Sequence, residues 1–149
     1  MVATNERYFA VNENGVLTGF TGPQTNVVIP SVVRGVTIVE IGEGAFHNRG
    51  LTNVTIPNGV RRIGRTSDNI GAFSNNRLTS IVIPDSVRII ASRWPTSAFG
   101  NNNITSVTIG TDVDITGMGI SGFEDSFRQN GRRAGTYTRS GNTWAFTAR

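Results

Sequence analysis

Hydrophobic and polar residues alternate in short runs that return at a nearly fixed interval along the chain. The segment LTNVTIPNGV begins at Leu51, and the segment LTSIVIPDSV begins at Leu78, 27 residues later. In both, apolar residues follow the spacing L-x-x-L-x-L, which places two of them on one face of an extended strand. Each strand is expected to end at the following proline, which cannot donate to a strand ladder. A further apolar pair in each unit predicts a second short element: Val60 with Ile63, and Val87 with Ile90.

Three sequence markers recur with the same period along the chain. Ile-Pro begins at residues 29, 56 and 83, and Ala-Phe begins at residues 45, 72 and 98, with Gly122-Phe123 as the next member of that series. An asparagine lies two places after each of the first three phenylalanines, at Asn48, Asn75 and Asn101. One unit of about 25 residues cannot bury its own apolar edge, but stacked units can. The pattern therefore predicts a mainly β solenoid of about four units, with one file of phenylalanines and a ladder of asparagine amides that satisfies backbone groups at the turns.

A solenoid needs a cap at each end, because a bare terminal unit exposes both core and unpaired backbone. We expect one domain with an N-terminal cap hairpin over residues 1–23 that turns at Asn14-Gly15. The repeats follow over residues 24–123, and a C-terminal cap occupies residues 124–149. Phe123 and Phe127 are spaced as on a short helix, which Gly131 would end. Three aromatic residues are expected to fill the core of this cap: Tyr137, Trp144 and Phe146.

Composition narrows the classes of function. The 149 residues include no cysteine, so the chain has no disulfide and no thiol nucleophile. All 14 basic residues are arginine, and the net charge of +4 is scattered along the chain, which favours solvated faces over a nucleic-acid stripe. No apolar run reaches the roughly 20 residues of a membrane helix. The N-terminal segment also lacks a signal-peptide pattern, so the protein is either cytoplasmic or has had an export signal removed.

Candidate chemistry is sparse. A G-x-G-x-x-G pattern occurs at Gly117, Gly119 and Gly122, but neither a long helix nor a suitably spaced acidic residue follows, so a turn is the better interpretation. His47 is the only histidine and is interpreted as a partly exposed turn residue. The carboxylate pairs at residues 112 and 114, and at 124 and 125, lack the other ligands of a calcium loop. We therefore expect no catalytic residues, no cofactor and no metal.

Departures from the repeat predict where a partner binds. Extra residues enter at the same point of three units, over residues 65–69, 92–96 and 116–120, and insertions gathered on one edge often mark a binding face. Trp94 lies in the second insertion. Its side chain either folds back over the edge of the core, which the sequence favours, or anchors a partner together with Arg65 and Arg93. The open sheet face is the other candidate surface, where Thr55, Val82 and Thr108 should line up, although such rows often serve only solubility.

The repeat pattern L-x-S-I-x-I-P-x-S-V-x-x-I…A-F-x-x-N resembles the BspA-like family of bacterial leucine-rich repeats. Residues 78–87 with Ala98-Phe99 carry it, as do residues 51–64 with Ala72-Phe73 and a looser copy over residues 27–46. The resemblance extends over residues 16–144.

The resemblance implies a right-handed leucine-rich-repeat solenoid. It also implies a non-enzymatic, adhesion-type module, extracellular or at a bacterial surface, that binds a host or neighbouring-cell protein. The alternative is a structural or self-assembling module with no dedicated ligand site.

Overall fold

The structure, a computed structural model, describes all 149 residues of the chain. Short strands dominate it, because each apolar run is only a few residues long before a proline or a turn intervenes. The elements are a 3-10 helix (Glu6–Tyr8), β1 (Phe9–Val11), β2 (Val16–Phe20), β3 (Asn26–Val28), β4 (Val32–Val33), β5 (Val36–Thr37), β6 (Glu40–Ile41), β7 (Asn53–Thr55), β8 (Arg62–Ile63), β9 (Ser80–Val82), β10 (Ile89–Ile90), β11 (Ser106–Ile109), α1 (Phe123–Gln129), β12 (Gly135–Ser140) and β13 (Thr143–Ala148).

Each of the first three units contributes one strand to each of two columns, while the last unit contributes β11 to the first column and a single bridge, from Asp114 to Ile89, to the second. In the first column, β3 pairs in parallel with β7, and β9 pairs in parallel with β11. In the second column, β2, β6, β8 and β10 form one parallel sheet, which β1 extends by pairing antiparallel with β2. Equivalent residues therefore stand one strand spacing apart. The expected β-solenoid of about four turns is confirmed.

The core is a set of files in which like side chains meet. Phe46 stacks on Phe73 with ring centroids 5.0 Å apart and an interplanar angle of 7°. Phe73 stacks on Phe99 at 5.1 Å and 4°, and all three rings are buried. Phe20, from the N-terminal hairpin, adds a fourth ring on Phe46 at 5.5 Å. The predicted file of phenylalanines is confirmed, and it joins the hairpin to the repeats.

The file ends at Phe99, contrary to the expectation that Phe123 continues it. Phe99 donates its backbone N–H to Met118, as Phe73 does to Ala98, so Met118 and Gly119 take the place of an Ala-Phe pair in the last unit. Residues 116–120 are therefore the turn of that unit and not a third insertion. Phe123 belongs to the C-terminal cap instead, where it lies against Trp144 at 5.5 Å.

The two terminal hairpins cover different columns. β1 and β2 close the second column, and β12 pairs antiparallel with β11 to extend the first column, with β13 on its outer side. Helix α1 packs Phe123 and Phe127 beneath that sheet and ends at Gln129. Gly131, two residues further on, has a φ of 67°, the left-handed conformation expected of the residue that closes a helix. The N–H of Arg132 then bonds the carbonyl of Phe127 at 2.7 Å and closes the helix end.

The asparagine turns work differently from the prediction. Asn48, Asn75 and Asn101 are exposed and have φ values of 54–58°, a left-handed conformation that asparagine adopts more readily than most residues. The amides that satisfy the backbone are one residue further on, at Asn76 and Asn102. In the first unit Arg49 stands at this position, so the bridging amide occurs only in the later units.

Asn76 shows how the bridge works. Its side-chain oxygen accepts from the backbone N–H groups of Arg49 and Leu51, both at 3.0 Å. Its amide nitrogen donates to the carbonyls of Phe46 and Phe73 at 2.8 and 2.9 Å. One buried amide thus satisfies backbone groups of two successive units, which a turn made by Asn75 alone would leave unpaired.

Candidate functional site

Two insertions, residues 65–69 and 92–96, form one surface, called the insertion edge below. The N–H of Arg93 bonds the backbone carbonyl of Asp68 at 2.9 Å, and the hydroxyl of Thr96 reaches the same carbonyl at 3.4 Å. The guanidinium of Arg93 donates to the side-chain oxygen of Asn69 at 3.3 Å. The second insertion therefore rests on the first, as the common register of the two insertions predicted.

Carboxylates hold the first insertion, one from within its own loop and one from the solenoid. Asp68 is buried, and its carboxylate accepts the N–H of Arg65 at 2.8 Å. Glu43 accepts the N–H of Asn69 at 2.7 Å. The pKa of Asp68 is raised, first because burial disfavours its charged form and further because Glu43 and Glu40 are negative neighbours.

The side chain of Arg65 forms an ion pair with Glu40. Its Nε and one terminal nitrogen donate to the two oxygens of Glu40 at 2.6 and 2.7 Å, a bidentate pair. These hydrogen bonds, together with the charge of Glu40, raise the pKa of Arg65. Although 57% of the Arg65 side chain remains exposed, its charge is balanced by that of Glu40. Arg65 therefore holds the insertion edge in place as well as lying on it.

Trp94 does not fold back over the core. Its side chain is 89% exposed at the tip of the second insertion, although the sequence favoured a covering role. The core beneath it is already closed, because Ala91 and Ala98 on either side of the insertion are buried in the stack. Of the two interpretations left open by the sequence, the exposed one is the arrangement observed.

A groove of about 360 Å³ lies between the insertion edge and the asparagine turns. It crosses successive units, from His47 in the first to Asn101 in the third, with Pro95 at the rim beside Trp94. Gly71 lies on the lining, and this position requires glycine because a β-carbon there would collide with the backbone oxygen of Ser97 in the next unit. Sequence reasoning missed this groove. One sequence signal could have indicated it: small residues follow each of the two insertions, and the preceding unit has no insertion to fill the space beside them.

The open sheet face is less regular than predicted. Val82 lies beside Thr108 in register and is 61% exposed, and the hydroxyls of Thr108 and Thr136 are 2.9 Å apart. Thr55 lies on the neighbouring strand β7, and it lines one shallow cleft together with Val82. No ladder of hydrogen bonds joins β7 to β9, so the row is interrupted at this point.

The glycine pattern, the histidine and the acidic residues considered as catalytic or ligand-binding groups all occupy ordinary structural positions. Gly117 lies in the turn of the last unit, and Gly122 precedes a helix of only seven residues. His47 hydrogen-bonds Ser74 through Nδ1 at 2.7 Å. No three histidine, aspartate or glutamate side chains come together as ligands of one metal ion would. None of the helices has the length and apolar character required to cross a membrane.

Comparison with known proteins identifies the repeat. The family model of the BspA type leucine rich repeat region matches residues 23–126 of this chain in six copies. The crystal structure of a leucine-rich-repeat protein from T. pallidum superposes with a TM-score of 0.50 over 76% of this chain, at 21% sequence identity. The match spans 63% of that protein's length, and the likeness concerns the fold alone. No curated protein matches the chain. The family match covers well over half of the chain, which therefore belongs to the BspA-type leucine-rich-repeat family.

Proposed function

We propose that the chain is a non-enzymatic, adhesion-type protein-binding module that engages its partner through the insertion edge. The observation that carries this proposal is the exposed Trp94 on a hydrogen-bonded insertion. Burying a tryptophan side chain of 150–250 Å² contributes roughly 4–6 kcal/mol before ordering costs. Those costs are small where the backbone is already held in place, as it is by the bond from Arg93 to Asp68.

The surroundings of Trp94 suit a binding hot spot. Tryptophan and arginine are the residues most enriched among such positions. Arg93 is exposed and is next to Trp94 in the chain, with one long hydrogen bond to Asn69. A partner that covers Trp94 would therefore contact an exposed indole ring and the guanidinium of Arg93, which would have to give up only one long hydrogen bond.

A non-enzymatic role is supported by the way the acidic groups are used. Glu40 is paired with Arg65, Glu124 with Arg128 four residues on, and Asp85 with Arg149. The carboxylate of Asp114 accepts both the hydroxyl and the N–H of Thr116, which lowers the pKa of Asp114. Each of these groups stabilises a turn or an end of the solenoid. Leucine-rich-repeat modules commonly bind proteins, and the BspA type is often found at bacterial surfaces, which supports an extracellular or surface location.

The test uses alanine substitutions at the insertion edge. Purified protein would be measured by surface plasmon resonance against a panel of extracellular-matrix proteins. Trp94→Ala should weaken binding by about tenfold or more, and Arg93→Ala by less. Both variants should melt with the wild type, since neither side chain is buried. Val82→Ala, on the open sheet face, is the matched control and should bind normally. Unchanged affinity in both edge variants would reject this site, and a loss confined to Val82→Ala would move it to the sheet face.

Self-association is the second candidate, because β13 is an edge strand at one end of the solenoid. β13 pairs only with β12, so its outer edge presents unpaired backbone groups. The opposite end of the same column is covered by the N-terminal segment, since Thr4 exchanges two hydrogen bonds of 2.9 Å with Val28. Addition of a β13 edge to the β3 end of a second copy is therefore blocked, and we propose the pairing of two β13 edges as the geometry of self-association. A sedimentation coefficient independent of concentration would remove this candidate.

A further inference from the structure

We propose that the groove beside the insertion edge is a binding site for a neutral oligosaccharide. This inference goes beyond protein binding at Trp94, since it concerns a different class of ligand and an adjoining surface, which shares Asn69, Pro95 and Thr96 with the insertion edge. The groove volume of about 360 Å³ is at the lower end of the roughly 300–1,000 Å³ typical of small-molecule sites. A groove that crosses successive units suits a short chain of sugar rings.

The groove exposes hydrogen-bonding groups without formal charge. Its lining contains no aspartate, glutamate or arginine, and His47 is its only titratable residue. Binding of a phosphate, sulfate or carboxylate calls for an opposing positive charge, and binding of a cation calls for carboxylates. The lining supplies amides and hydroxyls instead, which both donate to and accept from sugar hydroxyls.

The asparagine turns present a matched donor and acceptor. The amide nitrogen of Asn101 donates to the side-chain oxygen of Asn75 at 2.6 Å. That bond leaves the amide nitrogen of Asn75 free to donate and the side-chain oxygen of Asn101 free to accept. Their separation is set by the stacking of two units, so the pair is held ready for a ligand that crosses the units.

His47 supplies a further hydrogen-bonding group. Its Nδ1 lies 2.7 Å from the hydroxyl of Ser74, which in turn lies 2.9 Å from the carbonyl of Gly71. No other residue of the chain hydrogen-bonds Nε2. That nitrogen is left to donate to a ligand hydroxyl or to accept from it, according to the tautomer.

The apolar part of the groove is small and lies at its edge. Ile70 is 43% exposed on the lining, and Pro95 stands on the rim. Together they offer a modest apolar surface to the C–H face of a sugar ring, while the polar residues meet its hydroxyls. One apolar wall opposed by polar groups is the general arrangement of small-molecule sites.

An extended peptide fits the groove less well. Strand addition needs unpaired backbone groups, but the N–H groups along these turns bond the next unit. Phe46 donates to Ala72, Asn48 to Ser74, and Asn75 to Gly100, at 2.8–3.0 Å. The groove also has no deep apolar pocket for a side chain. The groups that remain are separate amides and hydroxyls, which suit a polyhydroxylated ligand.

The test is a titration followed by backbone amide chemical shifts. The probes are cellotetraose, chitotetraose, maltotetraose and mannotetraose, with a heparin-derived tetrasaccharide and an uncharged Gly-Ser peptide for comparison. Saturable shifts at His47, Ser74 and Asn101 are expected with at least one neutral tetrasaccharide at concentrations up to about 10 mM. Weaker or no shifts are expected with the heparin fragment and the peptide.

Glycine substitutions remove the amides without straining the turns, because glycine accepts the left-handed conformation. The double variant Asn75→Gly, Asn101→Gly should bind about tenfold more weakly, since two hydrogen bonds are lost. Asn48→Gly changes an equivalent turn outside the groove lining and should bind within about twofold of the wild type. Trp94→Ala should leave sugar affinity largely intact, so this test and the protein-binding test fail separately.

Three results would overturn the inference: no saturable shift with any neutral tetrasaccharide, binding that persists in the double variant, or binding of only the peptide or the heparin fragment.

Discussion

Phe73 and Trp94 are both large aromatic residues of the repeat region, but their surroundings are opposite. Phe73 lies buried between two nearly parallel rings from the units before and after it. Trp94 belongs to an insertion and is almost fully exposed. A side chain at a repeated position packs between the equivalent side chains of the units before and after it, and these contacts fix its place. A side chain in an insertion has no copy to pack against, so local contacts place it and leave it available to a partner.

The largest expected effect follows from removing a ring of the file. Phe73→Ala leaves a cavity between Phe46 and Phe99 that the stacked backbone cannot close, because successive units are fixed at the strand spacing. We expect a loss of about 3–5 kcal/mol in the free energy of unfolding, measured by urea denaturation. Trp94→Ala is the matched control and should change it by less than about 0.5 kcal/mol. A similar loss in both variants would contradict the contrast drawn between them.

A smaller effect is expected at the asparagine turns, where two adjacent residues of the same type have different roles. Asn76→Ala removes the amide that bridges two units and leaves buried backbone groups of Phe46 and Leu51 unpaired. The expected loss is about 2–3 kcal/mol in the free energy of unfolding. Asn75→Gly keeps the left-handed turn and removes an exposed side chain, so it should cost less than about 1 kcal/mol. Equal losses in the two variants would contradict a stabilising role for the amide bridge of Asn76.

The sequence predicted the fold well because stacking acts on the same positions that carry the period. Phe46, Phe73 and Phe99 could be placed in one file from their spacing alone. The period could not show which of two neighbouring asparagines points inward, because that choice depends on the left-handed conformation of Asn75. It also could not place Met118 at the position of an alanine, since the last unit has no phenylalanine to mark the register.

The candidate site was less predictable for the same physical reason. The shared position of two insertions indicated that they would lie together, and they do. Whether Trp94 would cover the core depended on gaps that the sequence does not reveal, and the core proved to be closed without it. The groove arises between units, from Ser74 on one side and Ser97 on the next, so no single copy of the repeat contains it.

The smallest expected effect concerns the buried carboxylate of Asp68 in the insertion edge. The pKa of Asp68 is raised above the ordinary 3.8, mainly by burial, so its ionised form destabilises the folded state at neutral pH. As the pH falls through this raised pKa towards 3.8, the folded protein takes up the proton first and that destabilisation is relieved. The stability of the wild type relative to Asp68→Asn should therefore rise between pH 7 and pH 4 in urea denaturation. Asp114 supplies a control of opposite sign, since its pKa is lowered by Thr116, and the wild type should lose stability relative to Asp114→Asn as the pH falls below 3.8. A difference for Asp68 that stays flat or falls would mean that its carboxylate is not buried against the negative charges of Glu43 and Glu40.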